Sequence, residues 1–100
     1  MEITINAIHF EVSEKLDQFI NKKVSRLSKF HDGVLTADVT LKVVRPETNM
    51  NKDAAIKLFA PGAEFFAQET ADTFEEAIDE CVEKLERQVL KFKEKLQSKK

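Results

Sequence analysis

Apolar Ile3, Ile5 and Ala7 alternate with polar Thr4 and Asn6, which predicts a first strand with one buried face. The period then changes: Leu16, Phe19, Ile20, Val24, Leu27 and Phe30 recur at helical spacing. Ser13 stands where an N-cap hydroxyl is needed, and Glu14 and Asp17 follow in the first turn. His31-Asp32-Gly33 offers a glycine for the C-terminal cap. Period two returns at Ala37, Val39, Leu41 and Val43, interleaved with Asp38, Thr40 and Lys42, predicting a second strand. Arg45-Pro46-Glu47-Thr48-Asn49-Met50-Asn51 reads as a polar loop, because a proline cannot continue a central strand. Ala54, Ile56 and Leu58 predict a third strand, and Ala60-Pro61-Gly62-Ala63 has the Pro-Gly centre of a type II turn. Ala63, Phe65 and Ala67 form the fourth strand, with the adjacent Phe66 leaving its buried face ambiguous.

The last helix is the clearest element. Thr73 with Glu76 three residues on is a capping box, and Phe74, Ala77, Ile78, Cys81, Val82, Leu85, Val89, Phe92 and Leu96 form one apolar stripe. The order is therefore β-α-β-β-β-α, an α+β fold. A strand–helix–strand unit crosses over right-handed and makes the first two strands parallel neighbours. The short connections that follow imply antiparallel pairing. Each helix has a single apolar stripe, so the expected architecture is a four-stranded mixed sheet with two helices packed on one face. The other face is left to solvent or a partner.

Composition adds limits. One hundred residues, 42% apolar and 34% charged, with no repeat, linker or low-complexity tract, make one domain over residues 1–100. Eight Phe without Trp or Tyr argue for core aromatics rather than a stacking surface. The opening Met1–Asn6 lacks the pattern of a signal peptide, and no apolar stretch approaches the roughly 20 residues that span a bilayer. The expectation is a cytoplasmic protein with no membrane partner.

Catalytic chemistry has little to work with. His9 and His31 are far apart and sit in no metal-ligand spacing, so structural or surface roles are favoured for both. Cys81, the only cysteine, lies in the apolar stripe of the last helix, where a buried, inert thiol is expected. With Gly33 and Gly62 as the only glycines there is no phosphate-cradling loop. The acids of the last helix fall at solvent-face spacing. An acylphosphatase-like hydrolase would suit the length, but its chemistry wants an arginine in a glycine-rich loop, and Arg45 is followed by Pro46-Glu47. No enzyme, cofactor, metal or small-molecule substrate is expected.

The charge is segregated, which the net value of −2 conceals. Ala67 to Glu83 contains seven acids and no base; Lys84 to Lys100 contains seven bases against Glu86 and Glu94; Asn21 to Phe30 contains four bases and no acid. At about 100° per residue, Lys84, Arg87, Lys91 and Lys95 share one sector of the last helix. Glu76, Asp79, Glu83, Glu86 and Glu94 mostly fill another. Lys15, Lys22, Arg26 and Lys29 share a non-core sector of the first helix, while Lys23 falls on its apolar side, stem packed and ammonium snorkelling outward. Two helices on one face would bring the basic rows together as a ridge of up to eight charges, suited to a phosphate backbone. A plainer reading stays open on pattern alone: bases favour helix C-termini, and Glu80/Lys84 and Glu83/Arg87 are ordinary helix-supporting pairs.

The blocks Ala77-Ile78-Asp79 and Lys84-Leu85-Glu86-Arg87-Gln88, followed by Lys91, Lys93 and Lys95, resemble the ribosome hibernation-promoting factor family. That family includes the ribosome-associated inhibitor and was formerly described as sigma-54 modulation proteins. The resemblance covers essentially the whole chain, including Glu11-Val12-Ser13 before the first helix, the spacing Lys23/Arg26/Lys29 and the strand Leu41-Lys42-Val43. It implies the same fold, and binding in the small-subunit decoding channel across the A and P sites, with translation blocked by occupancy. The implied partners are the small subunit and its ribosomal RNA. The implied contacts are Lys23, Arg26 and Lys29 on the first helix and Lys84, Arg87, Lys91, Lys93 and Lys95 on the last, with Lys22 added from the basic row.

Two features depart from the family. Glu75 stands where members commonly carry a tyrosine, so any contact made by that ring is lost, and the acidic block Glu69–Glu83 should face away from RNA or meet basic ribosomal-protein tails. The chain ends at Lys100, short of the extra C-terminal domain by which long members pair two ribosomes. A short form acts alone or with a separate dimerisation helper; the sequence leaves both open. The competing reading is a protein-interaction module, using the acidic block or the open sheet face, that modulates a transcription factor such as sigma-54.

Overall fold

The computed structural model describes residues 2–29, 36–44 and 51–98, with side chains through residue 94. The expected glycine stop at Gly33, the loop residues 45–50 and the side chains of Lys95 and Leu96 lie outside that set. The elements run β1 (Glu2–Ala7), α1 (Glu14–Ser25), a 3₁₀ turn (Arg26–Lys29), β2 (Thr36–Val43), β3 (Lys52–Ala60), β4 (Ala63–Ala71) and α2 (Phe74–Ser98). The sheet order is β1-β2-β3-β4, with β1 parallel to β2 and the other pairs antiparallel. This is the expected α+β architecture.

Register explains why one face became the core. Ile5 lies beside Val39, Val39 beside Ile56, and Ile56 beside Ala67, so apolar residues of all four strands point the same way. α1 covers β1, α2 covers β3 and β4, and the helices touch each other. Ile56, Leu58, Ile78 and Leu85 are fully buried between sheet and α2. Each such side chain contributes about 1.5–3 kcal/mol relative to exposure. Phe10 stacks on Phe74 at 5.1 Å between centroids, and Phe65 meets Phe92 edge-on at 5.5 Å, fastening both ends of α2.

Local signals are realised where they were strongest. Ser13 Oγ accepts from Leu16 N–H and Thr73 Oγ1 from Glu76 N–H, both at 3.1 Å. The Pro61-Gly62 turn has Gly62 at φ +77°, the left-handed position a type II turn requires. β4 is longer than its alternation suggested, and Phe66 points to the open face, 50% exposed.

α1 is shorter than the apolar spacing implied. Arg26 N–H is shared between the carbonyls of Lys23 and Val24, and the hydroxyls of Ser25 and Ser28 donate back to Lys22 and Ser25 carbonyls. These local bonds compete with the α pattern and tighten the chain into 3₁₀ geometry.

Candidate nucleic-acid interface

The 3₁₀ turn matters for the basic residues, since side chains at i and i+3 eclipse one another there. Arg26 and Lys29 therefore stand in line, both exposed, with Lys22 exposed one turn earlier on α1. Lys23 is half-buried as expected. Its ammonium sits 5.5 Å from the Phe19 ring centroid and 3.3 Å from Asp79 Oδ1 on α2.

On α2, Lys84 donates a charge-assisted hydrogen bond to Glu69 of β4. That bond and the adjacent carboxylate charge push the Lys84 amine above its ordinary value. Arg87 pairs with Glu83 at 2.9 Å, one turn back on the same helix. Lys91 and Lys93 are exposed. Among the described residues no carboxylate lies within ion-pair distance of Lys22, Arg26, Lys29, Lys91 or Lys93.

The two rows do not merge into the single ridge expected from the sequence. Lys84 reaches Glu69, and Gln88 bonds the backbone of Phe66, so this flank of α2 overlooks the β4 edge. Asp79, from the opposite flank, pairs with Lys23 of α1. At about 100° per residue, Arg87 and Lys91 lie on the β4 side, and Glu76 and Glu83 crest the helix between them and α1. Lys93 alone among the described cations of α2 shares the flank of Asp79 and Glu86. The sheet order was predictable. Which flank of α2 would face α1 was not, since the apolar stripe fixes only the direction of the core.

The remaining sequence candidates fall outside this arrangement. His9 is exposed in the β1–α1 connection, with φ +64°. Cys81 is buried, 3.3 Å from the Ala54 carbonyl; burial, reinforced by Glu69, pushes its thiol up to about 12. Asp53 of β3 is buried and accepts from Gln68 and Thr70, each at 3.0 Å. Its partners could be found only once the β3–β4 register was known. No group of His, Cys, Asp and Glu suited to a metal ion occurs among the described residues. No helix of the described residues is long and apolar enough to cross a membrane.

Residues 3–97 match the family model described as Sigma 54 modulation protein / S30EA ribosomal protein. A Pseudomonas putida protein named ribosome hibernation promoting factor is 31% identical over 98 residues, covering 98% of this chain and 92% of its own. Its Escherichia coli namesake is 31% identical over 96 residues, covering 96% and 97%. The crystal structure of the Thermus thermophilus Protein Y N-terminal domain superposes with a TM-score of 0.81 at 29% identity, covering 92% of this chain and 99% of that one. With its strand order, helix placement and nearly full length all accounted for, the chain belongs to the Sigma 54 modulation protein / S30EA ribosomal protein family, together with these ribosome hibernation promoting factors.

Proposed function

We propose that this protein is a ribosome-binding hibernation factor that acts as one domain. It grips the ribosomal RNA of the small subunit, occupies the decoding channel across the A and P sites, and so holds the ribosome inactive. No reaction is catalysed; occupancy alone blocks translation. The observation that carries the reading is a set of exposed cations with no carboxylate within ion-pair distance among the described residues, in a chain of net charge −2: Lys22, Arg26 and Lys29 on one side, Lys91 and Lys93 on α2. Phosphates bind such groups through charge and counterion release without regard to base sequence.

Lys23, Lys84 and Arg87 belong to a second tier, because each must exchange an internal carboxylate for a phosphate. Lys95 extends the α2 row by one turn. The acidic crest of Glu76 and Glu83 between the rows favours two separated phosphate strands over one continuous track. The names borne by relatives 31% identical over nearly their whole length support the ribosomal partner. Such a partner implies a cytoplasmic location.

Co-sedimentation with ribosomes tests this reading. Binding should weaken steeply as salt rises. It should weaken again in Arg26→Glu/Lys29→Glu and, separately, in Arg87→Glu/Lys91→Glu. Binding indifferent to salt and to both pairs overturns it. Nuclease-insensitive capture of one non-ribosomal protein, such as a sigma-54-type factor, would favour the interaction-module reading instead.

A further inference from the structure

The sheet face opposite the helices has its own chemistry. Register aligns Asp38, Lys57 and Phe66 in one cross-strand row and Thr40, Ala55 and Gln68 in the next. Ala55, with only a methyl group, sits among larger neighbours. The result is a depression of about 210 Å³ lined by Asp38, Thr40, Ala55, Lys57 and Phe66. Pockets for drug-sized ligands run to about 300–1,000 Å³, so this one suits a single planar ring system.

Two of its polar groups, Asp38 and Thr40, are unengaged among the described residues, while the third, Lys57, is held by a neighbour. Lys57 does not turn to its cross-strand neighbour Asp38; its ammonium lies 3.8 Å from Glu64 and 5.7 Å from the Phe59 ring centroid. Among the described residues, the Asp38 carboxylate and Thr40 hydroxyl have no hydrogen-bond partner. Phe66, half exposed, offers an aromatic surface where most of the chain's other described Phe rings are turned inward.

We propose that the depression over Ala55 binds an unpaired guanine base, carried either by single-stranded RNA or by a free nucleotide. Open four-stranded sheets bind RNA in this manner, with exposed aromatics stacking the bases. The carboxylate selects among bases. Guanine presents two adjacent donors, N1–H and the N2 amino group, which one carboxylate accepts together. Adenine and cytosine set a ring acceptor beside their amino group, repelling Asp38, and uracil offers one donor flanked by two carbonyls. Phe66 supplies the stacking surface, Thr40 a second hydrogen bond, and Lys57 a cation for O6 or a phosphate. The site faces away from both helical cation rows and does not depend on the ribosome reading.

Titration of the full chain with GMP, AMP, a short oligouridine and the same strand carrying one guanosine, followed by NMR shifts of Phe66 and Ala55, tests the assignment. One guanosine should tighten strand binding about tenfold, as expected for a stacked base with bidentate readout. Asp38→Asn should abolish that preference, and Phe66→Ala should weaken both strands. Both side chains are exposed, and circular dichroism checks the fold. A gain with GMP equal to that with the strand assigns the site to a free nucleotide; a gain confined to the strand assigns it to RNA. No preference for guanine, or one that survives Asp38→Asn, overturns the proposal. The readout needs no ribosome, so this inference and the ribosome reading fail independently.

Discussion

Gln88 on α2 donates from Nε2 to the Phe66 carbonyl at 2.8 Å and accepts the Phe66 N–H through Oε1 at 3.4 Å. β4 is an edge strand, and this amide stands in for one rung of the missing fifth strand. Unpaired edges invite pairing with other chains, and proteins commonly blunt them. Gln88→Leu keeps the volume and removes both bonds. It should cost about 1 kcal/mol in urea denaturation and raise light scattering on incubation. Unchanged stability and scattering would mean that the rung is cosmetic.

Cys81 sets an alkaline limit on stability. Its ordinary value of 9.0 is pushed up to about 12 in the folded chain, first by burial and then by Glu69. Above pH 9 the unfolded chain ionises while the folded one keeps its proton. The contribution is therefore whole below about pH 9 and is lost as pH rises towards 12. Lys84, also raised, adds loss of the same sign at higher pH. Between pH 9 and 10 unfolding free energy should fall with a slope approaching about 1.4 kcal/mol per pH unit, shallower in Cys81→Ala. Native protein at neutral pH should resist thiol reagents until denaturant is added.

Much of this was legible in the sequence, for identifiable reasons. Alternation at Ala37–Val43 and helical spacing at Phe74–Phe92 each leave a single stable way to bury the apolar positions, so sheet and α2 followed directly. Ser13 and Thr73 mark helix starts through local chemistry. The shortening of α1 was hidden because the apolar spacing continues through Leu27, and only the back-bonding of Ser25 and Ser28 changes the geometry. The separation of the cation rows was hidden for a deeper reason. It depends on which flank of α2 meets α1, a relation expressed in the Lys23–Asp79 and Lys84–Glu69 pairs, which join residues distant in the chain.

His9 occupies the left-handed region at φ +64°, and it is the one non-glycine residue among those described to do so. Histidine tolerates this conformation better than most residues, and a β-branched side chain does not. The turn starts where Ile8 N–H bonds the Leu41 carbonyl at 2.9 Å, so the backbone has little freedom to escape. His9→Val should destabilise by about 1–2 kcal/mol, and His9→Gly should be close to neutral, as relief of strain offsets entropy gained by the unfolded chain. If the imidazole itself were needed, ribosome binding would fall in His9→Gly despite intact stability. The exposed ring and the absence of any described partner predict that it will not.

Cations that hold the fold should separate from cations that hold a ligand. Glu69 lies opposite Ala54 on the helix-facing side of β4, its side chain only 21% exposed, and Lys84 covers it. Lys84→Ala leaves that carboxylate without its partner, so melting temperature should drop; Lys84→Ala/Glu69→Gln should recover much of the loss, the signature of a coupled pair. Lys29 has no carboxylate nearby among the described residues, and Lys29→Ala should change stability by less than about 0.5 kcal/mol. Ribosome sedimentation should reverse the ranking: Lys29→Ala weakens binding outright, whereas Lys84→Ala/Glu69→Gln loses less, since the lysine it removes was already engaged. If both variants weaken binding equally, exchanging Glu69 for a phosphate costs Lys84 nothing, and the tier assigned to Lys84 is wrong.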